Sequence, residues 1–451
     1  MRAMLFMLGV AAVAMTDSAH AASPPMPELD RELSAIAADP AHPLASLSVL
    51  AVRAGRMVYH REFGFRSIDN DVPARSRPAD HRTLYRIASL SKLVTTLGVM
   101  RLREAGRLDL DRDVSDYLGW RLRNPHFPQD PITLRMLLSH TSSLRDDAGY
   151  YWEAALGVHL QDVLVPGGTR YGTGAMWATN AKPGAYFQYA NLPWGVVGTI
   201  IERVTGERFD RAMQRLVLEP LGLHGGFHPV DFSAVDLANT ATLYRKRLEK
   251  DGREIWNPSG PWVPQVDDYR SERPVPRAAP DYAIGSNGTL FGPQGNCRLS
   301  AAGLATIMRL LLRDGTHAGK LFLKPSSVAL MRTPQWRHDG TGANGNNTFG
   351  SHRELMNAWG LGMQLFLDRG GPGTGDRLVE GGGFTGVGHL GEAWGLTSAL
   401  VFDPRKRNGM IFLTGGPGFD PETDPGIYSS MYRHEERILT ALHRHALRAK
   451  R

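Results

Sequence analysis

The sequence contains a single cysteine, Cys297, among its 451 residues. One thiol cannot form a disulfide within the chain, and it cannot contribute to a zinc site built from several cysteines. Cys297 lies in a stretch rich in glycine, proline and asparagine with no activating base beside it in sequence. We therefore expect a structural cysteine rather than a nucleophile. The fold must be held together by its hydrophobic core.

Long apolar runs are missing beyond the first residues. A membrane-spanning helix needs about 20 mostly apolar residues in succession, so no transmembrane segment is predicted. Residues 1–21 differ from the rest: Met1-Arg2 gives a positive start, residues 3–15 are apolar, and Ala19-His20-Ala21 has the spacing of a cleavage site. This pattern is typical of a secretory signal peptide, and it predicts a periplasmic or secreted protein.

Other absences narrow the functional class further. The formal charge of +7 is spread along the chain and does not form a dense basic patch, so nucleic-acid binding is not predicted. No set of residues with zinc-ligand spacing occurs, and glycine triplets do not sit inside a βαβ unit. We therefore predict no metal and no cofactor. There is no Gly-x-Ser-x-Gly motif, which argues against an α/β-hydrolase. The sequence leaves the oligomeric state open.

The order of the periodic patterns predicts an α+β fold. Alternating apolar residues indicate strands near both chain ends, at 44–52 and 57–60 and again at 359–366, 395–402 and 410–414. Helical spacing indicates helices at 28–38, 93–102, 109–114, 132–138, 194–205, 209–217, 299–312, 326–331 and 435–447. The composition of 251–280 indicates a surface excursion. We predict an antiparallel sheet flanked by helices and built from residues 22–95 and 286–451, with a mostly helical domain inserted at 96–285.

The stretch around Ser89 and Lys92 carries the first candidate chemistry. Helical spacing follows directly after it, so Ser89 is predicted at or near a helix start, with Lys92 on the same face one turn later. An amine in that position can take the proton of the serine hydroxyl and activate it as a nucleophile. The alternative is that Ser89 caps the helix while Lys92 lies on a solvated face.

Two further pairs are candidates for the same site. Tyr189 and Asn191 precede a helical pattern, and the phenol could relay a proton while the amide holds substrate. His389 and Gly391 precede the predicted strand at 395–402, where a strand edge could supply an N–H group for an oxyanion. The alternatives are an ordinary turn with a buried tyrosine and a solvated histidine in a glycine-rich loop.

Together, the three pairs resemble the serine β-lactamase and penicillin-binding-protein superfamily, in its class C-like branch. That branch is marked by Ser-x-x-Lys, Tyr-x-Asn and then Lys-Thr-Gly or His-x-Gly, and the order is the same here. The flanking sequences agree with the resemblance. They are Tyr85 to Ser89, Ile132 to Ser142, and Pro183 to Tyr189. The resemblance implies a β-lactamase/transpeptidase-like fold and covers nearly the whole chain.

The resemblance also implies roles for individual residues. Ser89 would be acylated, Lys92 and Tyr189 would handle its protons, and Asn191 would orient the substrate. His389 and Gly391 would contact the substrate, and the backbone N–H groups of Ser89 and Glu392 would form the oxyanion hole.

This sequence departs from the family pattern at two positions. His389 stands where class C β-lactamases have lysine, and Glu392 stands where relatives usually have a small residue. Both departures argue against efficient β-lactam hydrolysis. The histidine is closer to the D-alanyl-D-alanine carboxypeptidases, D-aminopeptidases and esterases of the branch. We expect an exported serine hydrolase acting on a small ester, amide or peptide. The alternative is a catalytically silent module that binds cell-wall peptides.

Overall fold

A computed structural model describes residues 25–152, 157–251 and 253–448. The predicted signal peptide at residues 1–21 lies outside the described residues. The strands are β1 (Ser46–Arg53), β2 (Arg56–Ser67), β3 (Arg77–Pro78), β4 (Tyr85–Arg86), β5 (Leu243–Arg245), β6 (Arg247–Lys250), β7 (Arg253–Trp256), β8 (Val263–Val266), β9 (Arg298–Leu299), β10 (Thr316–His317), β11 (Lys320–Leu321), β12 (Trp336–Arg337), β13 (Ala358–Trp359), β14 (Gln364–Phe366), β15 (Gly386–Ala393), β16 (Leu396–Asp403) and β17 (Asn408–Thr414).

The α-helices pack around these strands. They are α1 (Pro27–Ala37), α2 (Ser91–Glu104), α3 (Ser115–Leu118), α4 (Leu134–Leu138), α5 (Leu160–Leu164), α6 (Leu192–Thr205), α7 (Phe209–Met213), α8 (Ala234–Ala238), α9 (Ala301–Leu312), α10 (Pro325–Arg332) and α11 (Arg433–Leu442). Helix α7 continues as a π-helical turn at Gln214–Leu218, and α11 does so at His443–Leu447. Within the described residues, no helix is long and apolar enough to cross a membrane.

The main sheet is antiparallel and is assembled from both ends of the chain. Its nine strands follow the order β12-β13-β14-β15-β16-β17-β1-β2-β3. The two ends meet where β1 pairs with β17, with Leu47 opposite Thr414. The predicted antiparallel sheet flanked by helices is therefore confirmed. The middle of the chain contributes α3 to α8 and the two short strand pairs β5–β8 and β6–β7.

The sheet separates two hydrophobic cores. Alternate residues of β1 point to opposite faces, so Val49 and Ala51 pack with α1 and α11, whereas Leu50 and Val52 pack with the helices of the other face. Both faces of β1 are covered, so the strand is buried at every position but the last. This burial fixes the register of the sheet, because a shift of one residue would exchange the two faces.

One prediction about the chain is wrong. Residues 109–114 do not form a helix, and α3 begins only at Ser115. The side chain of Asp109 accepts the N–H of Asp111, and that of Asp113 accepts the N–H of Ser115, so local turns compete with the helix.

The stretch 251–280 lies largely at the surface, as predicted, since its described residues are exposed or half-buried with one exception. Strand β8 pairs with β5, and the next residue, Asp267, is buried.

Candidate active site

Ser89 lies in a tight turn that leads directly into α2. The turn is a 3-10 helix at Ala88–Leu90, and α2 begins at Ser91. Ala88, buried and immediately before the serine, has a positive φ of 48°, a conformation that non-glycine residues rarely adopt and that is most often found at functional sites. The Ser89 side chain does not cap α2. The capping alternative is therefore wrong.

Lys92 is fully buried beneath Ser89. Its Nζ atom lies 3.0 Å from Ser89 Oγ, 2.8 Å from Asn191 Oδ1 and 3.2 Å from the carbonyl oxygen of Gln294. Burial lowers the pKa of the amine to about 7, although the carboxylate of Asp146 acts in the opposite direction. A neutral amine is thus well populated near neutral pH. The alternative of a lysine on a solvated face is wrong.

The surroundings of Lys92 orient its lone pair toward the serine. Asn191 Nδ2 donates to Asp146 over 3.0 Å, which turns Asn191 Oδ1 toward the amine. Asn191 Oδ1 and the Gln294 carbonyl can only accept hydrogen bonds, so they take the two N–H groups of a neutral amine. The remaining direction faces Ser89 Oγ, so neutral Lys92 can accept the hydroxyl proton.

Asp146 is a site residue that the sequence analysis missed. Its carboxylate accepts the N–H groups of Asn191 and Leu192 at 2.8 and 2.9 Å, in addition to the Asn191 side chain. It therefore satisfies the first N–H groups of α6 and fixes Asn191 at the same time. The residue before α6 does not cap the helix with its own side chain, so the first N–H groups of α6 need an acceptor from elsewhere in the chain. Local sequence gives no indication of which distant acceptor supplies the cap.

Tyr189 approaches Ser89 from the other side. Its hydroxyl donates to Ser89 Oγ over 2.9 Å, and the side chain is buried. Burial raises the pKa of the phenol well above its usual value, although the hydrogen bond with Ser89 acts in the opposite direction. In the resting site Tyr189 is a proton donor, and this favours Lys92 rather than Tyr189 as the base.

A buried histidine, His140, supports the tyrosine ring. The two ring centroids are 4.4 Å apart with an interplanar angle of 30°, and His140 Nδ1 accepts the N–H of Ala190. Burial lowers the pKa of His140 well below its usual value, so the ring is neutral. His140 lies in the 132–142 stretch that carries the family resemblance, but its position behind Tyr189 was not predicted.

The structure places His389 and Gly391 inside strand β15, not in a loop before the next strand. His389 is buried, and its ring is 5.3 Å from that of Trp359. Burial, together with the positive charge of Lys92, lowers the pKa of His389 to about 3, so this position carries no charge at neutral pH. The alternative of a solvated histidine is wrong, and His389 lines the cleft beside Ser89.

Gly391 allows β15 to approach the nucleophile turn. A Cβ atom at this position would lie 2.9 Å from the carbonyl oxygen of Ile87 and 2.5 Å from Ser398 Oγ. Any larger residue would push β15 away from Ser89. The oxyanion hole formed by the N–H groups of Ser89 and Glu392 stays a prediction, with Glu392 one residue beyond this contact on β15.

The side chain of Glu392 is paired. Its carboxylate lies 3.4 Å from His352 Nε2 and 3.4 Å from the hydroxyl of Tyr432. Burial alone would lower the pKa of His352, but Glu392 and the carbonyl of Ser430 together raise it to about 9. His352 is therefore protonated at neutral pH and compensates the negative charge of Glu392.

The cleft above Ser89 has a volume of about 520 Å³. Its larger apolar lining residues include Phe349, Leu355, Met356, Trp394 and Met431. Its polar lining residues include Arg86, Tyr150, Tyr151, Arg277, Gln294 and Asn296. A cleft of this size admits a small organic substrate.

One group of potential metal ligands occurs among the described residues, at Asp210, His228 and Asp231. The carboxylates of Asp210 and Asp231 form hydrogen-bonded ion pairs with Arg208 and Arg211, each at 2.7 Å. Two guanidinium groups already supply the positive charge that a cation would bring. This cluster is an ion-pair network outside the cleft.

Curated relatives match about two fifths of this chain. Penicillin-binding protein 4* of Bacillus subtilis (strain 168) is 28% identical over 183 residues, which are 39% of this chain and 36% of that protein. Protein flp of Staphylococcus aureus (strain N315) is 28% identical over 178 residues, 39% of this chain and 33% of that protein. The matched segment spans about a third of the length of these relatives.

Solved structures share the fold. The octameric penicillin-binding protein homologue from Pyrococcus abyssi superposes with a TM-score of 0.59 at 22% identity, covering 88% of this chain and 74% of that one. EstCE1, described as a hydrolase with promiscuous acyltransferase activity, gives 0.57 at 22% identity, covering 92% and 98%. The family described as Beta-lactamase matches residues 31–429. This chain therefore belongs to the beta-lactamase family, within the superfamily of serine β-lactamases and penicillin-binding proteins.

Proposed function

We propose that the protein is a serine acyl hydrolase that forms an acyl-enzyme on Ser89 and cleaves ester or amide bonds of small substrates. One observation carries the proposal. Ser89 Oγ lies within hydrogen-bond distance of a buried lysine amine and of a tyrosine hydroxyl, at 3.0 and 2.9 Å. A nucleophile, a base of suitable pKa and a proton donor therefore converge at one oxygen atom.

In the acylation step, Ser89 Oγ attacks the carbonyl carbon of the substrate while neutral Lys92 accepts the hydroxyl proton. The negative charge moves to the carbonyl oxygen, for which the backbone N–H groups of Ser89 and Glu392 are the proposed donors. Collapse of this intermediate breaks the bond to the leaving group, and the phenol of Tyr189 is placed to donate a proton to the departing atom. Protonated Lys92 then returns its proton to Tyr189, so both groups regain their resting states. In deacylation, water attacks the acyl carbon while Lys92 accepts one of its protons, and the departing Ser89 Oγ takes that proton back from Lys92.

The charges near β15 support esters rather than β-lactams as substrates. A lysine at position 389 would present a permanent cation, whereas His389 is neutral and buried. Glu392 and His352 form a compensated pair. The structural neighbour EstCE1, a hydrolase with promiscuous acyltransferase activity, shares the fold and is consistent with ester chemistry. D-alanyl carboxypeptidase and weak β-lactamase activities are the remaining substrate options.

The buried lysine argues against a catalytically silent binding module. Burying an amine without a carboxylate in contact is unfavourable for folding, and the lowered pKa of Lys92 reflects that cost. A binding module gains nothing from it, whereas a catalytic base near neutral pH requires it.

The test is covalent labelling with a fluorophosphonate probe, followed by a panel of p-nitrophenyl esters, nitrocefin and D-alanyl peptides. We expect labelling of the wild type and no labelling of Ser89→Ala. Ser351→Ala is the matched control, because this exposed serine does not line the cleft. Labelling that persists in Ser89→Ala would contradict the assigned nucleophile. A wild type that binds D-alanyl peptides but hydrolyses nothing in the panel would support the silent module.

We also propose that the protein is exported, on the basis of the charged and apolar pattern of residues 1–21. The N-terminal sequence of the protein recovered from the extracytoplasmic fraction should begin at or near Ala22. A full-length chain retained in the cytoplasm would contradict export.

A further inference from the structure

Arginine side chains outnumber carboxylates at one end of the cleft. Arg86 and Arg298 each donate two hydrogen bonds to the buried carboxylate of Asp267, over distances of 2.6 to 3.2 Å. The hydroxyl of Tyr269 donates to the same carboxylate over 2.8 Å. Both oxygens of Asp267 are therefore fully used, and the two guanidinium groups leave one net positive charge.

A third arginine, Arg277, adds to this charge. It lines the cleft and is half-buried, with its guanidinium carbon 5.7 Å from the ring centroid of Tyr151. Among the described residues, no carboxylate lies within ion-pair distance of it. Burial and the neighbouring charges of Arg298 and Arg86 lower its pKa to about 10, which still leaves it charged at neutral pH. An unpaired charge in such surroundings is unfavourable unless a ligand compensates it.

Asn296 supplies an unused donor in the same part of the cleft. Its side chain is only 5% exposed, and Oδ1 accepts from Arg86 Nη1 over 2.5 Å. That contact fixes the orientation of the amide, because only the oxygen can accept from a guanidinium. Nδ2 is then left buried and without a partner, although Asn296 lines the cleft. Buried donors are nearly always satisfied, so Nδ2 calls for an acceptor from the cleft that Asn296 lines.

From these observations we infer that Arg277 and Asn296 form a subsite for a carboxylate group carried by the substrate. The inference rests on the proposed function and narrows its substrate class to esters or amides with an anionic substituent. Arg277 contributes charge and a planar pair of donors, and Asn296 Nδ2 contributes a neutral donor. The subsite is separate from the His389 position, so the cleft binds a substrate anion without a lysine on β15.

Matched ester pairs test the subsite. In the acyl arm, mono-p-nitrophenyl glutarate is compared with p-nitrophenyl valerate, which replaces the carboxylate by a methyl group. In the leaving-group arm, m-acetoxybenzoate is compared with phenyl acetate. We expect the wild type to prefer the anionic ester in at least one arm, by about tenfold in kcat/KM and mainly through KM. The arm that shows the preference identifies the side of the scissile bond that faces Arg277.

Two variants separate the subsite from the catalytic machinery. Arg277→Gln removes the charge, and Asn296→Asp keeps the acceptor for Arg86 while replacing the free donor by a carboxylate oxygen. Each should reduce the ratio of anionic to neutral kcat/KM to about one. The matched control is Arg270→Gln, which removes an arginine whose partner is Asp268 and which does not line the cleft. This control should keep the wild-type ratio.

The outcomes distinguish this inference from the proposed function. Hydrolysis of neutral esters that depends on Ser89, with no anionic preference in either arm or with a ratio unaffected by Arg277→Gln, would overturn the subsite and leave the hydrolase assignment intact. Absence of Ser89-dependent turnover of every ester would overturn both. Equal losses on both members of a pair in Arg277→Gln would indicate a structural role and also contradict the subsite.

Discussion

Lys92 Nζ lies 3.0 Å from Ser89 Oγ, in a position where the lysine side chain has no contact with solvent. Two consequences follow from this arrangement. Burial lowers the pKa of the amine to about 7, and acceptors that face away from the serine take two of its N–H groups. In the proposed mechanism, this position makes Lys92 the base, and its protonation state sets the pH range of activity.

The first prediction concerns the pH dependence of this base. Because the pKa of Lys92 is about 7, lowering the pH protonates the amine and removes the lone pair that accepts the serine proton. We expect kcat/KM for a neutral ester to fall by about tenfold for each pH unit below this pKa and to level off above it. The measurement is a pH–rate profile between about pH 5 and pH 9.

Lys92→Arg provides the matching variant for this profile. Arginine keeps the positive charge and cannot be deprotonated at any pH in this range, so it cannot serve as the base. The activity of Lys92→Arg should be very low at every pH measured, and its pH–rate profile should show no ascending limb near pH 7. A wild-type profile that is flat through neutral pH would contradict the role of Lys92.

The second prediction concerns Asp146, which acts through Asn191 and through its charge. Asp146→Asn removes the negative charge that raises the pKa of Lys92 and weakens the acceptor that holds Asn191. We expect the ascending limb of the pH profile to move to lower pH and kcat to fall about tenfold with less change in KM. Asp147→Asn is the control, because Asp147 is the exposed neighbour. A loss of activity without any shift of the profile would indicate that Asp146 only stabilises the fold.

Short-range patterns predicted much of the site, and long-range contacts explain what they missed. A spacing of three residues on a helix brings Ser89 and Lys92 together, so the pair could be read from the sequence. The contact between Asp146 and Asn191 spans 45 residues, and that between Arg86 and Asp267 spans 181. Nothing in the sequence near either partner predicts these contacts, because each partner alone looks like an ordinary polar residue in a loop or beside a helix.

In the fold, too, sequence patterns predicted some elements correctly and failed for others. The apolar strands near both ends of the chain predicted the antiparallel sheet, because buried strands are recognisable from composition and length. Residues 109–114 were predicted as a helix from their spacing, but aspartate side chains satisfied the local N–H groups and produced turns. The glycines on both sides of His389 left a glycine-rich loop as the alternative to a strand edge, whereas close packing requires those glycines within β15.

The third prediction tests the close approach of β15 to the nucleophile turn. In Gly391→Ala, the new Cβ would lie within 2.9 Å of Ile87 O and 2.5 Å of Ser398 Oγ, so the strand must move. A displacement of the predicted oxyanion donor by a few tenths of an ångström to 1 Å should lower kcat by up to about 100-fold. Gly303→Ala in α9 is the control, since its Cβ would meet only ordinary contacts beyond 3.5 Å. Unchanged kcat in Gly391→Ala would show that β15 does not need to lie this close.

The last prediction concerns the stability of the arginine-rich end of the cleft. Asp267 is buried with Arg86 and Arg298, and although burial alone would raise its pKa, the two guanidinium groups hold it well below the usual value. Asp267→Asn leaves both arginines without a compensating charge, so the free energy of unfolding should fall by about 3–5 kcal/mol. Asp268→Asn is the matched control on the neighbouring residue. Its pair with Arg270 is partly exposed, and its loss should change the stability by less than about 1 kcal/mol. Urea unfolding followed by circular dichroism measures both changes, and equal effects of the two substitutions would show that Asp267 does not stabilise the buried arginines.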